Sequence, residues 1–378
     1  MRHRSTKKPP PSPSVGKPRR LAAWVALIVG ALMVLAPAAL NMWVRAPRGQ
    51  KMIAGFKPIM TRANVNLLTD HYLPTLALGF GNAPTVVSAA ATHYGHARLT
   101  YAQAVSFMQS HPNLSALAYL QRNFSTMAVP FTTMLSVMNR DLGAFKAMAG
   151  LPPFGLFPWF FVLPGLIMVI ASVVYLRRTS RLAAGKTAST GRGPATVLAV
   201  IGLLMIVAAF APMPPGFRSI WTVAPQGASM LSDFAGPVSP GGPPVMSAHT
   251  VEAFDGYLAK MKAGDSEIVP MVQDVAALYG KTVSTSQAVR FVKSDPALSQ
   301  VAAVMSGFPA MYRNFHNMLT TMAKDLPDYK AVAALPPFTL FPWFFILPGA
   351  IVALAGWRLR GSPVPSAQEE PKVMAVAL

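Results

Sequence analysis

Residues 151–165 read LPPFGLFPWFFVLPG, and residues 335–349 read LPPFTLFPWFFILPG. The two strings are identical at thirteen of fifteen positions, and the second begins 184 residues after the first. The same offset aligns the chain without a gap over residues 100–165, so that Phe131, for example, corresponds to Phe315. A repeat of this length indicates an internal duplication, which has to be recognised before a fold is assigned.

The composition is that of a membrane protein. Of the 378 residues, 52% are hydrophobic and only 12% are charged, whereas about 25% of the residues in a typical soluble domain are charged. The mean hydropathy is positive, at +0.39. The chain contains no cysteine, which excludes disulfides, thiol catalysis and cysteine-based zinc or iron–sulfur sites.

Four stretches lack Asp, Glu, Lys, Arg and His and are about long enough to cross a membrane. The hydrocarbon core is about 30 Å thick and requires roughly 20 apolar residues in a helix. We therefore predict transmembrane helices at residues 21–44, 157–176, 195–212 and 341–357. Spans without ionisable groups argue against a proton-driven transporter, because such proteins place Asp, Glu or His inside the membrane.

The first span has an alternative interpretation as a cleavable signal peptide. Its N-terminal side is basic, and Ala36-Pro37-Ala38 resembles a small-residue cleavage site. However, its 24 apolar residues exceed the usual apolar core of a signal peptide, which has about 7–15 residues. The second half also has a span at the equivalent place, inside the chain, where no signal peptide can be. Both observations favour an uncleaved membrane anchor.

Lysine and arginine predict the orientation in the membrane. Seven lie in the first 20 residues, five in the short loop 177–193 and three after residue 357. Cytoplasmic loops carry such an excess, so we expect a multi-pass protein of the bacterial inner membrane with both termini cytoplasmic. The formal charge of +20 is then mainly a topology signal, with some contact to anionic membrane lipid. Nucleic acid is not a predicted partner.

The two long segments between the spans are predicted to be helical and to lie outside the cytoplasm. Residues 100–103 (TYAQ) and 284–287 (STSQ) are capping boxes, and each opens an apolar-periodic run. Pro112 and Pro296 then end those helices, because the residue before proline avoids the helical region. In residues 311–326 the apolar positions are spaced three and four apart, which predicts an amphipathic helix.

The predicted fold is an all-α multi-pass membrane protein with four transmembrane helices and two homologous helical extracytoplasmic domains. In chain order we predict a disordered basic cytoplasmic tail (1–20), the first span (21–44), the first extracytoplasmic domain (45–150), a joint with the second span (151–176), a basic cytoplasmic loop (177–194), the third span (195–212), the second extracytoplasmic domain (213–334, with a Pro/Gly/Ser linker at 225–246), a joint with the fourth span (335–357), and a cytoplasmic tail (358–378).

The repeated string is interpreted as a rigid joint that connects each helical domain to the membrane span that follows. Its Pro-Pro pair ends the last domain helix, the next proline suits the first turn of the span, and Trp-Phe-Phe fits the outer headgroup level. The deeper Pro-Gly pair predicts a kink just inside the membrane. The predicted joint residues are Pro152, Pro153, Pro158, Trp159, Phe160, Phe161, Pro164 and Gly165, and Pro336, Pro337, Pro342, Trp343, Phe344, Phe345, Pro348 and Gly349. Gly349-x-x-x-Ala353 is also a small-residue pattern suited to close helix packing.

Candidate catalytic and metal-binding residues are few. The chain has no nucleotide-loop, hydrolase or metalloprotease motif, so we predict no enzymatic activity, no cofactor and no metal. His93-x-x-His96 is one possible metal pair, but Gly95 lies between the two residues and surface histidines are the favoured interpretation. Asp141 and Asp325 occupy equivalent positions and could form a catalytic pair, although a capping or salt-bridging role is favoured.

Two features of the long segments bear on binding. The first carries nine Lys or Arg but only two acidic residues, and the second carries nine of each sign. This difference predicts either an anionic partner for the first segment or drift on a solvated surface. Methionines could line an adaptable lipid-binding groove, although gap-filling in a core is favoured. The methionines concerned are Met127, Met134, Met138, Met311, Met318 and Met322.

The expected function is that of a non-enzymatic accessory or scaffold subunit of the cell envelope. Its duplicated helical domains would bind a partner protein, a lipid or a wall component, and the chain would contact membrane lipid and a protein partner or a second copy of itself. The alternative is a component of a transport system for lipid or another apolar solute. A membrane sensor is a second alternative.

Overall fold

A computed structural model describes residues 17–184, 192–212 and 218–360. Within these ranges the chain is all-helical and contains no β-strand, which confirms the predicted fold class at that level. The first 16 residues, most of the loop between the second and third spans, and the tail after residue 360 lie outside the described residues. In chain order the helices are α1 (Lys17–Ala39), α2 (Met42–Phe56), α3 (Arg62–Asn66), α4 (Leu73–Gly81), α5 (Ala83–Gly95), α6 (Tyr101–Ser110), α7 (Ser115–Ala149), α8 (Phe157–Ala183), α9 (Arg192–Phe210), α10 (Ile220–Ala235), α11 (Ala248–Leu278), α12 (Thr285–Ser294), α13 (Ser299–Ala333) and α14 (Trp343–Arg360).

Four helical stretches are long and apolar enough to cross a membrane, as predicted. They are Arg19–Ala39, Phe154–Arg181, Arg192–Phe210 and Phe338–Arg360. The first helix ends earlier than expected, because Asn41 adopts a left-handed conformation (φ 50°) and α2 starts at Met42. Asparagine is one of the few residues that enter this region readily.

The chain divides into two compact units. The span unit comprises residues 1–47, 150–225 and 335–378, and the domain unit comprises residues 48–149 and 226–334. We call residues 48–149 the first segment and residues 226–334 the second segment of the domain unit.

Glycines set the helix pairing in the span unit, where α1 packs against α8 and α9 packs against α14. A Cβ atom added to Gly30 would lie 2.9 Å from the carbonyl oxygen of Gly165, and one added to Gly165 would lie 2.8 Å from that of Gly30. Gly202 and Gly349 stand in the same relationship, at 2.5 and 2.7 Å. A Cβ at Gly202 would also lie 2.5 Å from the Ala353 nitrogen, which confirms the predicted close packing at Gly349-x-x-x-Ala353.

Each of the four spans also keeps large apolar side chains uncovered within this unit. Leu32, Ile170, Leu203 and Leu354 are between 55% and 61% exposed. A contiguous apolar surface of this kind is rare on soluble monomers and marks contact with a membrane or another protein. The uncovered faces therefore agree with four membrane-crossing helices.

In the domain unit the 184-residue offset relates helix boundaries as well as residues. Helices α6 and α12 both span ten residues, α7 and α13 both span 35, and each boundary in one pair is displaced by 184 from its counterpart. Both predicted capping boxes are formed, at Thr100 with Gln103 and at Ser284 with Gln287. The amphipathic helix predicted at 311–326 is confirmed as part of α13, whose apolar positions are buried.

The two segments of the domain unit share one core. Helix α11 packs against α5, α7 and α13, and α4 packs against α7 and α13. The rings of Phe131 and Phe315 meet edge to face with centroids 5.5 Å apart, and Phe80 contacts both Phe124 and Phe308. The sequence-based description had treated these segments as two domains. They instead form a single compact unit, because each covers the apolar face of the other.

The region expected to be a linker, residues 225–246, is largely ordered. Helix α10 covers Ile220–Ala235 and accommodates Pro225 near its start. The chain then makes a compact turn in which the Val238 nitrogen donates to the Pro243 carbonyl and the Val245 nitrogen donates to that of Gly236. The high Pro and Gly content therefore encodes a helix start and a tight turn.

Candidate functional site

The repeated joint connects helices in the same way in both halves. In the first copy α7 ends at Ala149, a 3-10 turn covers Phe154–Leu156 and α8 begins at Phe157. In the second copy α13 ends at Ala333, a 3-10 turn covers Phe338–Leu340 and α14 begins at Trp343. Both helices end before the Pro-Pro pair. All eight joint positions also have matching burial in the two copies, for example with the first Phe-Phe ring half-buried and the second buried.

The two copies of the joint contact each other through equivalent phenylalanines. Ring centroids are 6.4 Å apart between Phe154 and Phe338, 5.4 Å between Phe157 and Phe341, and 5.4 Å between Phe161 and Phe345. Each pair joins positions that are 184 residues apart. A residue that contacts its own equivalent lies next to a local twofold axis, as in a symmetric dimer interface.

These six rings form the buried centre of the joint, which we call the aromatic cluster. Each is at most 6% exposed. Favourably placed aromatic pairs contribute about 0.5–1.5 kcal/mol each beyond the area that they bury. The cluster therefore links the starts of α8 and α14 within the span unit.

Tryptophans mark both ends of the spans. Trp159 contacts Trp43 with ring centroids 5.1 Å apart, and Trp343 contacts Trp221 at 5.8 Å. These four lie where α1 and α9 end and α8 and α14 begin. The chain's two other tryptophans, Trp24 and Trp357, lie at the opposite ends of α1 and α14. Tryptophan is enriched at both water–membrane interfaces, so this distribution is typical of an embedded four-helix unit.

The prolines and glycines of the joint have separate roles. Pro158 lies in the first turn of α8 and Pro342 directly precedes α14. Pro164 and Pro348 lie inside these helices, each followed by the glycine that contacts α1 or α9. The kink expected at these prolines stays a prediction.

Sequence reasoning left out several residues that build this site. Phe154, Phe157 and their equivalents were not among the predicted joint residues, although their identity in both copies was a usable signal. Gly30 and Gly202 were also omitted, because they lie outside the gap-free part of the repeat. Only the packing reveals that they face Gly165 and Gly349.

The equivalent aspartates Asp141 and Asp325 are buried in the domain unit, each 3% exposed. They lie two turns before the ends of α7 and α13, so the predicted capping role is wrong. Among the described residues neither forms a salt bridge, and the Oδ2 atom of each has no hydrogen-bond partner.

Burial makes both carboxyls weaker acids. It raises the pKa of Asp141 to about 6, with the adjacent carboxylate of Asp233 adding to the effect and Arg140 opposing it. Burial likewise raises the pKa of Asp325, with Asp328 adding to the effect and Lys324 opposing it. Both groups are therefore partly or largely protonated in mildly acidic solution.

A small apolar cavity of about 20 Å³ lies in the domain unit, one helical turn from each aspartate. Phe145 and Tyr329, which follow Asp141 and Asp325 by four positions, are part of its wall. The rest of the wall consists of methionines and other apolar side chains. It includes Met52, Phe56, Met230 and Phe234. This volume holds about one water molecule.

The methionines proposed for a lipid groove are part of the core. All six are at most 2% exposed, so the alternative of gap-filling is confirmed and these residues do not line an open surface. A flexible, unbranched side chain suits an interior in which two similar but unequal segments interlock.

The two candidate metal-binding histidines do not lie on one helix face. His93 is in the last turn of α5, where its ring contacts Tyr94 and Phe291. His96 caps that helix in a left-handed conformation, with φ 52°. No group of three metal-binding side chains occurs within residues 17–184, 192–212 and 218–360.

Acidic residues of the second segment contact the first segment directly. Asp233 pairs with Arg140 at 2.9 Å. The Glu267 carboxylate accepts the backbone N–H groups of Ala116 and Leu117, at 3.2 and 2.7 Å, in the first turn of α7. A carboxylate at a helix N-terminus is favourable because it satisfies unpaired donors and complements the helix dipole. The charge difference between the segments thus has an internal component.

The geometry offers no arrangement of nucleophile, base and oxyanion donors among the described residues. What it offers is an aromatic cluster on a local twofold axis, a tightly filled helical unit and four apolar spans. No family model matches the chain, and no curated protein matches it either.

Proposed function

We propose that this chain is a non-enzymatic scaffold or accessory protein of a bacterial cell envelope, built from two fused copies of a two-span module. In this proposal the span unit anchors the chain in the inner membrane. The domain unit lies outside the cytoplasm and binds a partner, most simply a protein.

Contacts between equivalent residues support the duplication. The aromatic cluster pairs Phe157 with Phe341, and the core of the domain unit pairs Phe131 with Phe315. Both pairs carry the 184-residue offset of the sequence repeat. Such contacts are expected when two copies of a module that once associated as a symmetric dimer are joined in one chain.

The observation that carries the scaffold proposal is the filled interior of the domain unit. Its cavity measures about 20 Å³, whereas pockets that enclose small organic ligands measure about 300–1,000 Å³. Phe131 and Phe315, which stack around Phe254, are each at most 2% exposed. A rigid, filled unit is suited to presenting a surface, and a carrier for lipid would require an internal chamber or an open groove.

The proposed orientation rests on charge. The basic residues cluster at the N-terminus of α1, the C-terminal ends of α8 and α14, and the start of α9. Such an excess is characteristic of the cytoplasmic side. The aromatic cluster and the four paired tryptophans are at the other ends of the spans, and the domain unit follows from them in sequence.

Site-specific photocrosslinking tests the scaffold proposal. A photoreactive amino acid would replace Leu78, Val129 or Leu278, which are 51%, 49% and 62% exposed in the domain unit. After irradiation of intact cells, we expect a discrete crosslinked protein from at least one position. Leu203, 58% exposed on α9, is the matched control and should crosslink to lipid instead.

A lipid-transport component remains the second candidate, because the small cavity is lined by adaptable methionines and could expand around an apolar ligand. It predicts lipid copurifying with the full-length protein in a fixed ratio. Met230→Phe, which adds volume to the cavity wall, should then release that lipid. A fixed lipid ratio without any protein crosslink would replace the scaffold proposal by this one, and neither result would overturn both.

A further inference from the structure

We propose that α1 and α8 form a binding site for an anionic phospholipid at the basic end of the span unit. The inference rests on the membrane location of these helices and is independent of what the domain unit binds. The site is an open pocket of about 380 Å³ between the two helices. Its lining residues are cationic and polar at the rim and apolar towards the middle of the spans.

Two arginines from different helices form the rim. Arg20, near the start of α1, and Arg177, near the end of α8, both line the pocket and both are exposed. Arginine is suited to phosphate because its planar guanidinium donates two parallel hydrogen bonds. Among the residues that the structure describes, no carboxylate forms a salt bridge with either arginine.

The sequence of the span unit leaves these cations short of counter-charge. Glu369 and Glu370 are the only acidic residues in residues 1–47, 150–225 and 335–378. The nearby hydroxyls are also occupied, since Thr179 and Ser180 donate to the carbonyl of Leu176. Recognition of an anion therefore falls to the arginines.

The inner wall of the pocket selects a lipid over a soluble phosphate. Below the rim it consists of Leu27, Val173 and Leu176, which continue into the apolar faces of two spans. Trp24 lies beside them at the level expected for a membrane interface. A headgroup phosphate can therefore bind at the rim while an acyl chain lies along the helices. Basic pockets between membrane helices are a known means of holding anionic lipids.

The other helix pair uses its cation differently. Arg360, at the end of α14, donates from Nε to Thr196 Oγ1 of α9 at 3.0 Å. That arginine therefore has a partner within the protein. Arg358, which is exposed two residues earlier on α14, provides a matched control for general charge effects.

Native mass spectrometry of the full-length protein in detergent tests the proposal. Dioleoyl phosphatidylglycerol and dioleoyl phosphatidylcholine, which share their acyl chains, would be titrated in parallel. We expect tighter binding of phosphatidylglycerol by one site, and an approximately tenfold loss of affinity in Arg20→Gln and in Arg177→Gln, because each removes a charge-assisted phosphate contact. Arg358→Gln should bind like the unaltered protein.

Three results would overturn the proposal. They are equal binding of the two lipids, an equal loss in Arg358→Gln, or inorganic phosphate bound with the same dependence on Arg20 and Arg177 and without lipid preference. Circular dichroism melting of each variant checks that the helices are intact, which is expected because both arginines are exposed. Membrane fractionation of the same cells separately tests the membrane location, so failure of the lipid site and failure of the proposed location can be told apart.

Discussion

The carboxylate of Asp325 occupies the space that any side chain at Gly55 would require. Helices α2 and α13 can approach here only because position 55 has no Cβ. Gly55→Ala should therefore destabilise the domain unit by about 1–3 kcal/mol, as is typical of overpacking. Thermal unfolding followed by circular dichroism measures the effect.

The same contact supplies a control by compensation. Asp325→Ala removes the opposing carboxylate, so the Gly55→Ala/Asp325→Ala double variant should be more stable than the sum of the two single effects allows. Strict additivity would mean that the two groups do not compete for this space.

The raised pKa of Asp141 predicts a dependence of stability on pH. The folded-state pKa of about 6 lies above the ordinary value for aspartate, so the folded protein binds the proton more tightly than the unfolded chain does. This contribution to the free energy of unfolding is complete below about pH 4 and is lost as the pH rises through about 6, a loss of about 3 kcal/mol.

Asp141→Asn should remove that loss. The variant's stability relative to the unaltered protein should increase between pH 4 and pH 7 in urea titrations. Asp70→Asn, at an exposed carboxylate of the same segment, serves as the control and should leave the pH profile unchanged. A parallel displacement of the Asp141→Asn profile at all pH values would contradict the buried-carboxyl explanation.

Close approach of α1 and α8 predicts a strong position effect among glycines of the joint. Gly165→Val should separate the helices, because even a Cβ at this position would lie 2.8 Å from the Gly30 carbonyl oxygen. Gly155→Thr should be neutral, since no atom lies within 4 Å of its Cβ position and the second copy carries Thr339 there. Melting of both variants in detergent distinguishes them, and equal melting temperatures would contradict the packing.

The aromatic cluster predicts coupling between the two halves of the chain. Phe157→Ala and Phe341→Ala should each destabilise the protein, and a double-mutant cycle should give an interaction energy of about 0.5–1.5 kcal/mol. Phe157 paired in a cycle with Phe210, which contacts Trp221, should give a value near zero. Coupling of equal size in both cycles would indicate a general effect on the fold.

Reporter fusions test the proposed orientation. Alkaline phosphatase, which is active outside the cytoplasm, should be active when fused after residues 100 and 290 and inactive after residue 185. Green fluorescent protein fusions at the same positions should give the reverse pattern. Phosphatase activity at residue 185 would reverse the orientation inferred from lysine and arginine.

Local features of this fold were predictable because their causes are local. The capping boxes at Thr100 and Ser284, the helix ends before Pro112 and Pro296, and the four apolar spans each depend on a few neighbouring residues. The repeat also indicated which residues are equivalent.

Relationships between distant residues were not predictable in this way. The pattern of Met and Phe on α13 identified a buried face but could not tell whether it packs within one segment or against the other. The burial of Asp141 and the partnership of Gly30 with Gly165 likewise depend on helix placement. A single sequence carries no signal for such contacts.

The Glu267 carboxylate, which completes the first turn of α7 from the second segment, also limits how this protein can evolve. One half now provides an acid that the other half lacks, as does Asp233 opposite Arg140. A gene encoding the first half alone would produce a module without either group. The proposed fusion of two copies thus acts as an evolutionary ratchet, because specialisation of the halves has closed the return route to an independent homodimer.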